Sequence, residues 1–189
     1  MSDTKTTALL IGTTGMLAEA AREAIARADK AVIVSRKADE FLYGEPELDE
    51  KLVPLALDYE DTARFITEIE KHGPYDIALT WIRPRAELIR AALDATMAQG
   101  GLLVEVMGSR SILLGKDGTP SIAETRAHAL AAQPDITYAQ VILGFKIEEE
   151  GTSRWLHHHE ISAAAAAQLD DPIPRRIAGT LEPWEKRPS

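Results

Sequence analysis

The stretch Thr7-Ala8-Leu9-Leu10-Ile11-Gly12-Thr13-Thr14-Gly15-Met16-Leu17-Ala18 decides how the remainder of the chain is read. Thr7 to Ile11 reads as a strand, a glycine turn follows at once, and Met16 to Ala28 carries the 3.6-residue spacing of a helix. Leu17, Ala20, Ala21, Ala24, Ile25 and Ala28 share one face of that helix. A turn of this kind lets the backbone approach a pyrophosphate, whose charge is stabilised by unpaired amides and the helix dipole. The spacing is GxxGxxA. Glycine turns also join strands to helices in proteins that bind nothing, so the context has to decide. Here the turn lies in the first strand-turn-helix unit, and a second strand, Ala31 to Ser35, follows. Gly12, Thr13, Thr14, Gly15, Met16 and Leu17 are therefore candidate cofactor-binding residues.

The alternation continues outward from this unit. Strands are expected at Leu52 to Leu57, Asp76 to Trp81, Leu102 to Met107, Ile136 to Leu143 and Ile177 to Leu181. Helices are expected at Asp61 to His72, stopped by Gly73-Pro74, and at Ala86 to Ala98, closed by Gly100-Gly101. Two more are expected at Ser121 to Ala132, with Pro120 in the first turn, and from about Glu160 to Leu169. Stacked βαβ units make a doubly wound, mainly parallel α/β sheet of six to seven strands with helices on both faces. Pro54 cannot donate a ladder hydrogen bond, so the third strand belongs at a sheet edge. The Rossmann order 3-2-1-4-5-6 puts it there, with the seventh strand beyond the sixth.

Composition narrows the class. The 189 residues are 45% hydrophobic and 27% charged, enough for one domain spanning 1–189 and short of two. The absence of cysteine excludes a disulfide scaffold, a thiolate zinc site and a cysteine nucleophile, and points to the reducing cytoplasm. A net charge of −9 argues against nucleic-acid or anionic-membrane partners while leaving room for a local basic pocket. Met1 to Thr7 has no secretory pattern, and the longest featureless apolar run, Ala163 to Ala167, is far shorter than a membrane span. A soluble protein is expected.

The end of the second strand selects the nucleotide. An acid at this place usually meets an adenosine 2′-hydroxyl, whereas cations accept a 2′-phosphate. Ser35-Arg36-Lys37 stands here, with no carboxylate before Asp39, so NADP(H) is expected over NAD(H). The competing reading makes Arg36 and Lys37 a solvated loop.

At this point the chain resembles a short-chain dehydrogenase/reductase of an atypical, shortened kind, over most of its length through Phe145. The resemblance implies that Asp58 and Tyr59 contact adenine. It places Thr80-Trp81-Ile82 where the family has its Asn-Ala-Gly segment, and Met107-Gly108-Ser109 where it has its catalytic serine, which makes Thr80, Trp81, Ile82, Met107 and Gly108 further candidate cofactor-binding residues. Leu143-Gly144-Phe145 is similar to the family's Pro-Gly turn. The family's general acid is a tyrosine with a lysine four residues on. Tyr43, Tyr59, Tyr75 and Tyr138 are followed at that spacing by Glu47, Ala63, Leu79 and Ile142. The Ser-Tyr-Lys mechanism is therefore not carried over. Family members are generally longer, and the deficit falls mostly between Ser109 and Gly144. The resemblance also implies a homo-oligomer, with a homodimer as its simplest form.

Other residues are candidates for chemistry. Glu124 and His128 lie four apart on one helix and suit either an acid/base pair or an exposed surface pair. Ser109 suits either carbonyl polarisation or an ordinary turn. Arg83 and Arg85 flank Pro84 at a helix start, where a small anionic substrate, the cofactor phosphates or solvent would meet them. Trp81 either covers a nicotinamide or fills the core. Glu105 interrupts an apolar strand and needs an arginine partner or an exposed strand end. His157-His158-His159-Glu160 reads as a helix entry over Trp155 and Leu156, because consecutive histidines diverge too much to share a metal. Glu182-Pro183-Trp184 reads as an anchor for the tail.

Three functions fit these residues. One is an NADP(H)-dependent oxidoreductase, reducing a small carbonyl or imine with an unidentified proton donor. Another is a nonenzymatic nucleotide sensor, and the third is an isomerase or epimerase on the same scaffold. The reductase reading leads, because hydride transfer needs mainly positioning by the protein.

Overall fold

The computed structural model describes residues 5–41, 45–115, 117–133 and 135–188. Tyr43 lies outside the described residues.

The alternating units are β1 (Thr7–Ile11), α1 (Ala18–Ala26), β2 (Lys30–Ser35), the short α2 (Pro46–Asp49) and β3 (Leu52–Ala56). Then come α3 (Thr62–His72), β4 (Tyr75–Thr80), α4 (Glu87–Thr96), β5 (Met97–Gly108), α5 (Ile122–Ala131) and β6 (Thr137–Leu143). The chain finishes with β7 (Phe145–Ile147), β8 (Ser153–Trp155), α6 (His158–Asp170) and β9 (Arg175–Ala178).

Seven of these strands form one parallel sheet in the order β3-β2-β1-β4-β5-β6-β9. The expected Rossmann order is therefore the observed one. Pro54 sits on the edge strand β3, opposite Ile33, where its missing N–H leaves no central ladder broken. The inner strands are continuous apolar runs because helices cover both faces. Ala8, Leu10, Ile33, Leu79 and Val104 face α1 and α6, whereas Leu9, Ile11, Val32, Ala78 and Leu103 face α3 and α4. Alternate residues of one strand thus feed two separate cores.

Several boundaries correct the sequence reading. Helix α1 begins at Ala18 instead of Met16, because the glycine turn occupies two more residues. Helix α4 stops at Thr96, and β5 begins at Met97, with a register shift against β4 before the strand settles at Leu102. Pro120 precedes the α5 cap and does not lie in the first turn: Ser121 is the N-cap and forms a reciprocal capping box with Glu124. The last strand starts earlier than expected and is shorter, at Arg175–Ala178. The antiparallel β7-β8 hairpin was not anticipated.

The alanine run of α6 has a packing reason. Ala165 meets the α1 face of Ala20, Ala21 and Ala24, and small side chains let the two helices approach closely. Ser162 Oγ accepts the Ala20 N–H at 3.1 Å, so α6 supplies a cap that Leu17, at the N-cap of α1, cannot. Among the described residues no helix is long and apolar enough to cross a membrane.

Candidate functional site

The order of the sheet reverses between β1 and β4, and the loops beyond the carboxyl ends of the strands open a crevice there. Gly12 turns the chain out of β1 with φ of +69°, and a Cβ on it would lie 2.6 Å from the Trp81 carbonyl. Only glycine fits, for a reason internal to the fold. Gly15, by contrast, is exposed, and a Cβ there would meet nothing within 4 Å.

A cavity of about 260 Å³ lies over this turn. Gly12 and Thr14 form one wall, while Ser35, Arg36 and Lys37 from the end of β2 form another. Thr14 Oγ1 and Ser35 Oγ are hydrogen bonded at 3.2 Å, and Ser35 Oγ also accepts the Lys37 N–H at 3.0 Å. The apolar side is made by Val34, Leu57 and Phe65. Tyr59 stacks on Phe65 at 5.4 Å, and the Arg83 guanidinium lies 5.3 Å from the Tyr59 ring centre. Tyr59 donates its hydroxyl to the Trp81 carbonyl at 3.2 Å; burial pushes its phenol pKa up against the opposing pull of Arg83. Arg36 is held only loosely, 3.8 Å from Asp58, and Lys37 pairs with Glu40 at 3.2 Å on the surface. Exposed pairs of this kind exchange readily for a stronger anion.

The remaining nucleotide candidates are spread more widely. Asp58 stands beside Arg36 and accepts the Glu60 N–H at 3.1 Å. Thr13 and Leu17 are fully buried, so each can offer a ligand only its backbone, and Met16 is half-buried on the α1 core. The Ala20 N–H, taken by Ser162, is not free for a phosphate. Thr80 is fully buried, and its hydroxyl has no partner among the described residues; the same holds for Thr13. Trp81 is half-buried and lines both this cavity and a second one, so it is neither simply core nor simply cover.

The second cavity, about 340 Å³, lies between the β4-α4 loop and the end of β5. Ile82, Met107 and Gly108 line it, together with Arg110 and Ser111 of the 3₁₀ turn at Ser109–Ile112. Ser109 itself is buried and lines a neighbouring cavity with Gly144, Trp155, Leu156 and Arg187. The structure does not bring the other catalytic candidates there. The Glu124 carboxylate receives the Ser121 N–H and hydroxyl, both at 2.9 Å, which holds its pKa below the usual carboxylate range. His128 is exposed in the last turn of α5. Arg85 is exposed, and α4 starts at Glu87, whose charge suits the helix dipole.

Glu105 finds arginine partners. It is completely buried and accepts from Arg90 Nε at 2.6 Å, Arg126 Nε at 2.9 Å and the Tyr138 hydroxyl at 2.9 Å. Arg126 also binds Asp94 with both terminal nitrogens, at 2.6 and 2.9 Å. Arg90 then donates to the carbonyls of Ile82 and Arg83, at 2.8 and 2.7 Å, fixing the loop that walls both cavities. Sequence reading missed this role of Arg90, which lies in the helix before the strand that carries Glu105, and no spacing in the sequence links the two.

His157 caps α6, with its N–H given to Glu160 at 2.8 Å, and Leu156 packs beneath the helix. Trp155 does not pack there as expected: it is 45% exposed, with Arg187 lying 5.6 Å from its ring centre. The same guanidinium lies 4.9 Å from the Trp184 ring, which ties the tail to the hairpin.

The fold is a Rossmann-like α/β one, and solved short-chain dehydrogenases/reductases superpose on it. A metagenomic short-chain oxidoreductase solved in complex with NADP superposes with a TM-score of 0.64 at 17% identity, over 93% of this chain and 98% of that one. YwfH, an NADPH-dependent reductase involved in bacilysin biosynthesis, gives 0.66 at 18%, over 94% and 100%. A short-chain dehydrogenase from Rhodopseudomonas palustris gives 0.62 at 14%, over 91% and 97%. At these identities the likeness is one of fold. No protein-family model and no curated protein sequence matches the chain.

Proposed function

We propose that the chain binds NADP(H) in the cavity over the glycine turn and works as an oxidoreductase on a small carbonyl or imine. One observation carries the reading: Thr14 of the turn and Ser35-Arg36-Lys37 of the second strand, distant in sequence, wall one cavity and are joined by a hydrogen bond of 3.2 Å. The residues present fit the cofactor. Ser35, Arg36 and Lys37 supply hydroxyl and cationic donors for a 2′-phosphate, Tyr59 and Phe65 supply an apolar wall for a flat base, and Gly15 leaves the backbone open to a pyrophosphate. Solved proteins of the same fold include an NADP complex and an NADPH-dependent reductase, which supports the same choice. When bound, the cofactor supplies hydride. Ser109 lines a cavity at the carboxyl ends of the strands, and its hydroxyl suits the polarisation of a carbonyl oxygen.

A second reading, nonenzymatic nucleotide sensing, is favoured by one fact: none of the four tyrosines has lysine four residues on. Titration with NADPH and NADH tests the binding step, with NADPH expected to bind tighter. Arg36→Ala should weaken NADPH roughly tenfold and leave NADH nearly unchanged, as loss of one charge-assisted phosphate contact implies. Equal losses for both would refute the 2′-phosphate assignment, and no binding of either below millimolar concentration would refute both readings. NADPH consumption over a panel of aldehydes, ketones and imines then separates enzyme from sensor.

A further inference from the structure

We infer that the second cavity is a binding site for a small organic acid, its carboxylate held by Arg110 and Ser111 and its apolar body seated against Trp81, Ile82 and Met107. The inference deepens the oxidoreductase reading by naming its substrate class and rests on that reading for the reaction, although not for the binding.

Ser111 is the starting observation. Its residue is nine-tenths buried, its Oγ finds no hydrogen-bond partner among the described residues, and it lines the cavity. A hydroxyl left without a partner in such a place costs about 1–3 kcal/mol, so a ligand that accepts from it, once the Ser111 side chain turns its Oγ to the cavity, recovers that cost.

The charges point the same way. Arg90 is on the cavity wall but already compensated, since Arg90 and Arg126 face Glu105 and Asp94 in one neutral buried network. Arg83 and Arg110 also line the cavity, and neither forms an ion pair among the described residues. Among the described residues no carboxylate lines it. Two uncompensated guanidiniums beside a low-dielectric wall focus positive potential, in a chain whose net charge is −9.

The remainder of the lining rules on the body of the ligand. Ile82, Val106 and Met107 are buried apolar side chains, and the volume of about 340 Å³ stands at the lower end of the roughly 300–1,000 Å³ seen for ligand pockets. A compact, one-ring monocarboxylate matches it; inorganic phosphate would leave the apolar surface unused. Gly108 and Arg110 line both this cavity and the one holding Ser109, so the two cavities adjoin.

The probe is phenylacetate, compared with phenylacetamide, which keeps the shape and drops the charge, and with inorganic phosphate. Binding is measured by calorimetry and by tryptophan fluorescence, with and without NADPH. Phenylacetate should bind saturably and at least tenfold tighter than either comparator. Arg110 is exposed, so Arg110→Ala leaves the fold intact and should weaken phenylacetate about tenfold. Ser111→Ala should weaken it several-fold, and Arg110→Ala should leave the amide nearly unmoved. Equal binding of acid and amide, phosphate binding as tight as phenylacetate, or no effect of Arg110→Ala overturns the inference. If phenylacetate binds while NADPH does not, the cofactor reading alone fails; if NADPH binds while phenylacetate does not, the organic-acid site alone fails.

Discussion

At Glu105 a full carboxylate charge is removed from water between two guanidiniums and a phenol. Burial of one partner without the others is what makes such networks costly to break. Glu105→Ala should therefore destabilise the protein by about 3–5 kcal/mol, as for other buried pairs that lose one member, and urea unfolding measures it. Glu105→Gln keeps the volume and should cost less; an unchanged urea midpoint in both would show that the network carries no stability. Tyr138, beside the same carboxylate, has its pKa pushed up by burial and then by the Glu105 charge, so it stays a neutral donor at ordinary pH. The need for a partner at position 105 was legible in the sequence, because an acid interrupts an apolar run. The identity of the partners was not: Arg90 and Arg126 lie 15 and 21 residues away, on two different helices.

The clearest element-scale case is the entry to α6. Glu160 accepts from Arg154 at 2.7 and 3.0 Å and from the His157 N–H at 2.8 Å, and these bonds, the arginine first, hold its pKa well below the ordinary 4.5. A carboxyl whose folded pKa is depressed stabilises the protein above its unfolded value and loses that contribution as pH falls toward the folded one. Glu160→Gln should thus cost about 1–2 kcal/mol at pH 7, the range of a lost cap, with the gap from the parent protein closing below about pH 4.5. Thermal or urea unfolding from pH 7 to pH 3 checks this; a gap that stays constant with pH would assign the loss to packing. The helix start itself could be read from His157 to Glu160. The hairpin feeding it could not, because β7 and β8 have three residues each, although Gly151, with φ of +80°, was the turn signal between them. Glu124 and His128 are a case of two open readings: their spacing suits an acid/base pair or a surface pair, and Ser121, three residues earlier, draws the Glu124 carboxylate into the capping box of α5 while His128 is exposed.

Over the whole molecule, the C-terminal segment closes the end of the sheet nearest the cavities. Gly144 donates its N–H to the Ala178 carbonyl at 2.9 Å, and Phe145 and Thr180 exchange backbone bonds at 2.9 and 2.8 Å. A Cβ on Gly144 would lie 2.0 Å from the Thr180 carbonyl oxygen, so the two segments can approach only because position 144 is glycine. Gly144→Ala should therefore displace Ala178–Thr180 and raise amide hydrogen exchange there, while protection of β1 and β4 is retained. Unchanged exchange at Ala178–Thr180 would show that the strand can shift to accommodate the methyl group.

The periods of apolar residues, the glycine turn and one proline determined the parallel sheet, its strand order and its edge, because these are local or near-local signals: alternation, spacing and a missing donor. The cations at the end of β2 were likewise visible as a run. Which residues wall a cavity was decided only by tertiary structure. Ser111 looks like any turn serine until burial removes water from its hydroxyl, and Arg90 looks like a helix-surface cation until Glu105 and three loop carbonyls surround it. Solvation and long-range pairing depend on what the folded chain brings alongside, and no spacing along the chain encodes that.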